Sequence, residues 1–507
     1  MNPRRFLLGS MLVGAALALT RKLFTATGLA APASSSASCE AIDAYVEGQM
    51  RRLKIPGASL AVVEGDKIVH RRGFGQARSD GDVPTPQTPF FIGSLTKSIT
   101  ALAVMQLVEA GKVELDAPIR RYLPWFRVAD PQASVQMTVR HLLNQTSGLP
   151  TIAGNVALAD MDDRPDATER QVRALTTLKL TRPVGAKWEY SNLNYNVLGL
   201  IVEAASGKSY ADYVRDHIFI PLEMSRTYTS KAAAKQNGLA QGHRHWFSFP
   251  FPAPDLPVPR GSLPSGQLIS CAQDMAHYLI AHLNGGRYGE AQILSAAGID
   301  ELHRGVAEFA YGSLGAGRYG MGWFEADLDG TTAYSHSGNA PDFSAFMALV
   351  PEQQRGAVVL FNADPYGLPM ITEEIGMGLT AVLAGQQPPP MRLKFVQWIM
   401  RLLPLIPLAQ VAGVLVTGRR LGQWRRDPVS RPRGGLAWGR HLLLPMIPNL
   451  ALVASLSYLR SSGLIRFLQL FMPDLAWIVR IGGGFAGLWA ALRSGLMLRA
   501  LRGPRPR

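Results

Sequence analysis

Three short patterns in the sequence carry side chains that could take part in acyl transfer. The patterns are Ser94-Leu95-Thr96-Lys97, Tyr190-Ser191-Asn192 and His336-Ser337-Gly338-Asn339. A serine hydroxyl becomes a good nucleophile when a neighbouring base removes its proton, and a desolvated lysine amine can act as that base. A tyrosine whose phenol is made more acidic by nearby ammonium groups can do the same. The patterns therefore predict Ser94 as the nucleophile and leave the base open between Lys97 and Tyr190.

The remaining residues of the patterns have groups that could hold a substrate. The Asn192 amide could hydrogen-bond a substrate amide, Gly338 would let a substrate approach the backbone, and His336 could orient or protonate it. Each pattern alone is common in structural roles, because Ser-x-x-Lys usually marks a helix-capping serine beside a solvated lysine. The hypothesis of a catalytic site consequently depends on the combination.

Apolar spacing places the first pattern on a helix and the second just before one. A helix is predicted over Ser94–Ala110, ending at Gly111, and another over Tyr195–Ala205, ending at Gly207. On the first helix the serine and the lysine share a face, and the serine lies in the positive field of the helix start.

Strand-like runs occur at the beginning and end of the same region. Ala58–Val63 and Lys67–Arg72 form one predicted hairpin, and Ala345–Val350 and Ala357–Phe361 form another. Strands first, helices in the middle and strands at the end predict an α+β fold, with an antiparallel sheet flanked by helices and a helical lobe, rather than repeating βαβ units.

The formal net charge of +15 is concentrated in the C-terminal tail. Residues Met391–Arg507 contain 18 of the 52 Lys+Arg but only two of the 37 Asp+Glu, so the rest of the chain is close to neutral. A nucleic-acid-binding domain would interleave its basic residues with polar and aromatic ones on a folded face. In this tail they flank apolar runs instead, so we expect no nucleic-acid partner and a membrane lipid partner.

Three apolar runs in the tail approach the length that spans a bilayer. They lie at Phe395–Thr417, His441–Leu459 and Phe471–Leu492, and the third contains Asp474 and Arg480, which could pair within a bundle. The loop after the first run and the segment after the third are rich in arginine, which places both in the cytoplasm. A multi-pass protein with its main domain on the periplasmic or extracellular side is therefore predicted. A soluble helical bundle is the alternative.

The ends of the main domain are marked by composition. Arg4 and Arg5 precede an apolar run typical of a signal peptide or an N-terminal anchor. We predict a signal or anchor and linker at residues 1–39, a catalytic domain at 40–385, a Pro-rich linker at 386–394 and a membrane region at 395–507. The two cysteines, Cys39 and Cys271, could form one disulfide or remain free thiols. No spacing of Cys and His indicates a zinc site.

Taken together, the motifs resemble the β-lactamase-related serine hydrolase family, which includes class C β-lactamases, D-alanyl-D-alanine carboxypeptidases, D-amino-acid peptidases and some esterases. The resemblance runs from about Ile42 to Ala384 and also rests on further segments. These are Val139–Pro150, Tyr195–Ile201, Pro221–Met224, Ser265–Ser270 with Asp274-Met275, and Tyr319–Trp323.

The resemblance implies a fold and a set of roles. The fold would be a serine β-lactamase or penicillin-binding-protein-like one, with the site between the sheet and the helical lobe. Ser94 would be acylated, Lys97 and Tyr190 would share the proton transfers, and no metal or cofactor would be required. Asn192, His336, Ser337 and Gly338 would bind substrate, and the backbone N–H groups of Ser94 and Asn339 would form the oxyanion hole.

Departures from the family pattern bear on the substrate. His336 stands where β-lactamases and transpeptidases usually have lysine, and a neutral histidine suits a substrate carboxylate less well. Gln145 replaces a common histidine, while Gln267 and Asp342 each replace a common glycine.

The sequence thus favours a membrane-anchored serine hydrolase that cleaves an amide or ester on the cell-envelope side through an acyl-enzyme. An esterase or a D-aminopeptidase fits the departures better than a β-lactamase or a D-alanyl carboxypeptidase. The β-lactam and D-alanyl peptide substrates remain the alternative substrate class. The alternative from another class is a membrane sensor or binding protein that uses the same pocket without turnover, or with slow turnover. The oligomeric state is open.

Overall fold

The computed structural model describes residues 39–310, 316–431 and 434–502. The predicted signal or anchor lies outside the described residues. The chain divides into two compact units. The main unit runs to Pro404 and includes the later segment Ser462–Ala476, whereas the tail unit contains Leu405–Ser461 and the chain from Trp477 onward.

An eight-stranded antiparallel sheet forms the centre of the main unit, with the strand order β2-β1-β14-β13-β12-β11-β10-β9. Its strands are β1 Gly57–Glu64, β2 Lys67–Gly75, β9 Ala307–Ala310, β10 Ala316–Tyr319, β11 Phe324–Leu328, β12 Thr331–Ala340, β13 Phe343–Val350 and β14 Arg355–Phe361. Both predicted hairpins and the α+β class are confirmed. Six short strands of the described residues form three separate antiparallel pairs. These are β3 Phe90–Phe91 with β6 Ile269–Ser270, β4 His243–Trp246 with β5 Phe249–Pro252, and β7 Arg287–Tyr288 with β8 Ala291–Gln292.

The two strands in the middle of the sheet are buried along their whole length. Every residue of β13 and β14 is buried, which is why both read as continuous apolar runs rather than as alternating ones. The register pairs Ala345 with Leu360 on β14 and His336 on β12 with Met347. Pairing between β11 and β12 ends at Ser335, so residues 336–340 lie beyond the end of that ladder.

Helices pack on the sheet and form the lobe beside it. They are α1 Cys39–Leu53, α2 Thr96–Glu109, α3 Pro131–Gln136, α4 Val139–Leu143, α5 Thr151–Leu158, α6 Ala167–Arg173, α7 Asn192–Ser206, α8 Tyr210–Val214, α9 Lys231–Gln236, α10 Leu263–Gly266, α11 Ala272–Leu283, α12 Ala296–His303, α13 Pro369–Leu383 and α14 Lys394–Leu402. Helix α2 packs against α7 and α10. The two predicted helices are confirmed, including their ends at Gly111 and Gly207, which both have positive φ.

Both cysteines are free thiols, so the disulfide alternative is wrong. Cys271 is fully buried and caps the start of α11, where its sulfur accepts a hydrogen bond from the Asp274 N–H at 3.4 Å. Burial raises the pKa of this thiol well above its usual value.

The tail is helical. Its helices are α15 Leu405–Arg426, α16 Gly435–Trp438, α17 Ile447–Ser461 and α19 Pro473–Arg502, whose first residues belong to the main unit together with the preceding helix α18 Leu464–Phe471. Two segments, Gly439–Ser461 and Pro473–Ala500, are long and apolar enough to cross a membrane. The first predicted run qualifies only when Phe395–Leu402 and Leu405–Arg426 are counted together, because the helix breaks between them at Pro404.

Asp474 does not serve as the intramembrane partner of Arg480 that the sequence suggested. Its carboxylate accepts hydrogen bonds from the backbone N–H of Phe247 at 3.0 Å and of Leu475 at 2.8 Å. Asp474 and Phe247 both belong to the main unit. A hydropathy profile records a charge at the edge of an apolar run but cannot show that a distant loop binds it.

Candidate active site

Ser94 lies in a tight turn that leads directly into α2. The turn, Gly93–Leu95, is a single 3₁₀ turn, and Gly93 within it has φ +52°. Lys97 follows one turn later, as the predicted helix requires, and its Nζ lies 2.9 Å from the Ser94 Oγ. The lysine is fully buried, whereas the serine is partly exposed and therefore accessible to a ligand.

The Lys97 amine is held by two further oxygen atoms. It donates to Asn192 Oδ1 at 2.8 Å and to the backbone carbonyl of Ser265 at 2.6 Å. Burial lowers the pKa of Lys97 well below its usual value, because the charged form loses its hydration. In its neutral form the amine keeps two N–H groups for these two acceptors and directs its lone pair at the Ser94 hydroxyl. This is the arrangement that a general base requires.

The second pattern meets the first at the same amine. The ring centroid of Tyr190 lies 4.9 Å from Lys97 Nζ, and the Tyr190 and His336 rings are 6.3 Å apart. Asn192 begins α7 and is almost fully buried. The structure therefore brings together Ser94, Lys97, Tyr190 and Asn192, as predicted. Lys97 contacts the nucleophile, and Tyr190 lies against Lys97, so the choice of base stays open.

Gln145 holds the second pattern in place, a function that the sequence did not reveal. Its backbone has φ +58°, and its side-chain Oε1 accepts hydrogen bonds from Ser191 N at 2.9 Å and from Asn194 Nδ2. The backbone N–H of Glu189 donates to the Gln145 carbonyl at 2.8 Å. Gln145 had been noted only as a departure from the family pattern, because nothing local indicates contacts that span about 45 residues.

The third pattern lies on the final residues of β12, directly against the serine turn. A Cβ added to Gly338 would lie 2.0 Å from the carbonyl oxygen of Ile92, and one added to Gly93 would lie 2.5 Å from the backbone nitrogen of Asn339. Glycine is required at both positions by this close approach. The backbone of Asn339 is thereby brought next to that of Ser94, where the resemblance implied an oxyanion hole.

His336 is buried beside the lysine and is neutral. Burial, followed by the nearby Lys97 charge, lowers the pKa of His336 to about 3. Its Nδ1 lies 2.6 Å from the carbonyl oxygen of Ser337, which makes Nδ1 the protonated nitrogen, and Nε2 lies 3.4 Å from the Tyr319 hydroxyl. An uncharged imidazole at this position offers no cation to a substrate carboxylate.

The side chains of Ser337 and Asn339 lie on the other face of β12. The Ser337 hydroxyl donates to Glu373 Oε1 at 2.5 Å on α13, and the expectation that Ser337 binds substrate stays a prediction. Asn339 Nδ2 donates to Asp364 Oδ1 at 2.7 Å and to Thr372 Oγ1 at 2.9 Å. Adjacent residues on a strand face opposite ways, and His336 occupies the side facing the lysine.

The carboxyl groups of the half-buried Glu373 and the buried Asp364 bind this strand and were not predicted. Burial raises the pKa of Glu373 to about 7 and that of Asp364 well above its usual value. Their hydrogen bonds to Ser337 and Asn339 hold the strand that carries the proposed oxyanion hole. They act on the site through the strand and contact no reacting group.

A cavity of about 260 Å³ is lined by none of Ser94, Lys97, Tyr190 and His336, whereas Tyr190 lines a separate cleft. The walls of the cavity include Phe91, Phe343 and Ala340, two residues beyond Gly338, and both Gln267 and Asp342, which had been noted as departures. Asp342 has φ +69°, a conformation that explains a glycine in relatives. Here the aspartate forms a bidentate ion pair with Arg244, with both N–O distances 2.7 Å.

Among the residues that the structure describes, no group of three or more His, Cys, Asp or Glu side chains is placed to hold a metal ion.

The comparison with protein families agrees with this geometry. The family described as Beta-lactamase matches residues 42–378. The chain belongs to the beta-lactamase family. This match covers the sheet, the helical lobe and all three sequence patterns, and it ends within α13, before the tail.

Curated relatives of this beta-lactamase family chain cover the same region. "Protein flp" of Staphylococcus aureus strain MW2 is 30% identical over 345 residues, which are 67% of this chain and 66% of that protein, just under two thirds of its length. "Penicillin-binding protein 4" of Amycolatopsis lactamdurans is 34% identical over 315 residues, or 61% of this chain and 81% of that protein.

Two solved structures resemble the fold. An octameric penicillin-binding protein homologue from Pyrococcus abyssi has a TM-score of 0.61 at 28% identity, covering 68% of this chain and 77% of its own. The D-amino acid amidase from Ochrobactrum anthropi SV3, complexed with L-phenylalanine amide, has a TM-score of 0.57 at 24% identity, covering 68% and 97%. The second likeness shows the fold alone.

Proposed function

We propose that the main unit is a serine hydrolase that cleaves an amide or an ester through an acyl-enzyme on Ser94, anchored to a membrane by the tail and facing the cell envelope. The observation that carries the proposal is the 2.9 Å contact between the Ser94 Oγ and the fully buried Lys97 amine. A buried amine without a carboxylate beside it is costly as a structural element and useful as a base.

The reaction follows from the positions of the groups. Ser94 Oγ attacks the substrate carbonyl carbon while its proton passes to the base, Lys97 or Tyr190. The carbonyl oxygen takes up negative charge and accepts hydrogen bonds from the backbone N–H groups of Ser94 and Asn339. Collapse of this intermediate expels the alcohol or amine, which receives the proton back from the base. A water molecule then attacks the acyl group on Ser94 in the same way and releases the acid.

The surroundings of Ser94 favour a substrate that is uncharged near its scissile bond. His336, neutral at physiological pH, replaces the lysine that would bind a carboxylate. This replacement favours an ester or an amide over a β-lactam or a D-alanyl peptide, whose carboxylates require a cationic partner.

A fluorophosphonate probe, which reacts with activated serines, tests the nucleophile. We expect labelling of the wild-type protein and none of Ser94→Ala, while Ser79→Ala, at an exposed position, serves as the matched control. Equal labelling of the Ser94→Ala protein would remove Ser94 from its role.

A substrate panel on the purified full-length chain tests the reaction. It consists of short p-nitrophenyl esters, D-amino acid amides, D-alanyl-D-alanine peptides and nitrocefin. Turnover of the esters or amides without turnover of nitrocefin is expected. Labelling of Ser94 without turnover of any of these substrates would favour a slow-turnover binding protein instead.

A further inference from the structure

Helix α14 carries an exposed apolar stripe. Phe395, Trp398, Ile399 and Leu402 are 44%, 65%, 44% and 53% exposed, and their spacing of three and four residues places them on one face. Val396 and Met400, on the other face, are buried. One apolar face of this nine-residue helix packs against its own domain. Exposure of the other apolar face to water would be unfavourable, so this face is expected to contact another apolar surface.

The hairpin of β4 and β5 adds two exposed aromatic rings. Phe249 and Phe251 are each 52% exposed and, being two apart on a strand, lie on the same face. The two-residue turn of this hairpin has φ +50° at Phe247 and +73° at Ser248. A bulky residue in this left-handed conformation is costly, so other contacts must hold the turn.

Those contacts join the hairpin to the helix and to the start of α19. Ser248 Oγ donates to the Gln397 carbonyl on α14 at 3.4 Å, and the Gln397 side chain donates to the Arg52 carbonyl at 3.0 Å. The backbone N–H of Phe247 donates to Asp474 Oδ2 at 3.0 Å. The hairpin tip is therefore fixed between two segments that are more than 70 residues apart in the sequence.

Both of these segments lead into the tail unit, although only the second enters a helix that is by itself long and apolar enough to cross a membrane. Helix α14 ends at Leu402, and α15 starts three residues later at Leu405. Asp474 is the second residue of the apolar helix Pro473–Ala500. Two chain connections to the membrane region consequently leave the main unit beside the same hairpin tip.

We propose that this face of the main unit, formed by the α14 stripe with Phe249 and Phe251, rests in the headgroup region of the bilayer that anchors the chain. Aromatic rings concentrate at this depth of a membrane. Cations accompany them, since Lys54 Nζ lies 3.6 Å from the Phe249 ring centroid and the Arg401 guanidinium lies 5.7 Å from that of Trp398. Such cations can reach lipid phosphates while their stems cover apolar surface. The proposal rests on the membrane-anchor part of the proposed function.

Spin labels on the full-length chain in phosphatidylcholine and phosphatidylglycerol vesicles test the proposal. Labels are introduced by Phe251→Cys and, separately, by Ile399→Cys, in a background in which Cys39 is replaced by serine and the inaccessible Cys271 is kept. Collision rates with oxygen, which enriches in lipid, and with a water-soluble nickel chelate then report the surroundings of each label. Ile220→Cys, at a 64% exposed apolar position of the main unit, is the matched control. Leu488→Cys, 72% exposed within Pro473–Ala500, is the reference for lipid contact.

We expect labels at 251 and 399 to collide with oxygen in preference to nickel, as the label at 488 does, and the label at 220 to show the reverse. If the labels at 251 and 399 collide preferentially with nickel while the label at 488 collides preferentially with oxygen, the proposal is overturned but the membrane anchor is not. Low accessibility to both reagents at 251 and 399 would also overturn it, in favour of a contact between copies of this chain. Aqueous behaviour at 488 would refute the membrane anchor itself.

Discussion

Replacement of Gly93 by alanine is expected to disable the site through the oxyanion hole while the nucleophile and its base remain in place. The added Cβ would lie 2.5 Å from Asn339 N and 2.8 Å from Gly338 C, so the strand must retreat by about 0.9 Å to reach an ordinary contact of 3.4 Å. A misplacement of about 1 Å at a reacting centre can cost about 10²-fold in rate, and loss of one oxyanion donor costs about 10²–10³ in kcat. We therefore expect kcat to fall by about 10²–10³ with little change in KM.

The control for this variant separates the strain of a positive φ from the steric clash of the added Cβ. Gly111 ends the same helix with φ +68°, yet a Cβ there would meet nothing within 4 Å. Both Gly93→Ala and Gly111→Ala are expected to lose about 1–2 kcal/mol of stability from the left-handed conformation. Only Gly93→Ala should lose activity, measured as steady-state hydrolysis of a p-nitrophenyl ester by folded protein. Activity of Gly93→Ala within threefold of the Gly111→Ala value would refute the placement of the oxyanion hole.

Three further outcomes follow from the buried groups. Because burial lowers the pKa of Lys97, kcat/KM should fall as the pH drops through a value well below 10.5, and Lys97→Arg, which has no neutral form, should be inactive across the whole profile. His336 and His303 each have a pKa of about 3 in the folded protein, so between pH 3 and 6.5 the unfolded chain binds more protons than the folded one. The free energy of unfolding from urea titration should therefore be about 2 kcal/mol lower per histidine at pH 5 than at pH 8. His336→Gln should remove the contribution of one histidine to this difference. Asp364→Ala, which removes the acceptor for Asn339, should lower kcat about tenfold with KM unchanged, whereas the isosteric Asp364→Asn should keep most activity; equal losses would contradict the positioning role.

Local pattern predicted the elements of this protein well, and Ser94 as the nucleophile stays a prediction. Alternating and continuous apolar runs identified both hairpins, and helical spacing with terminal glycines identified α2 and α7. The contact of Ser94 with Lys97 follows from helix geometry alone. The break at Pro404 was also readable, because proline interrupts a helix, yet the apolar run across it was interpreted as one span.

The supporting residues could not be predicted, because their contacts join distant parts of the chain. Gln145 acts on the Tyr190 loop and Asp364 on the Asn339 strand, and neither lies in a local pattern that differs from ordinary loops. Strand alternation predicts that the Ser337 side chain points away from the site once His336 is assigned to the site. The family resemblance had grouped both residues as substrate contacts and so concealed the alternation.

The free thiols have a consequence for how this protein can be made. Neither Cys39 nor Cys271 is covalently bonded, and Cys271 is fully buried, which raises the pKa of its thiol well above the usual value. The fold of the main unit therefore depends on no disulfide, and it can form under reducing conditions. Its melting temperature should be the same with and without dithiothreitol.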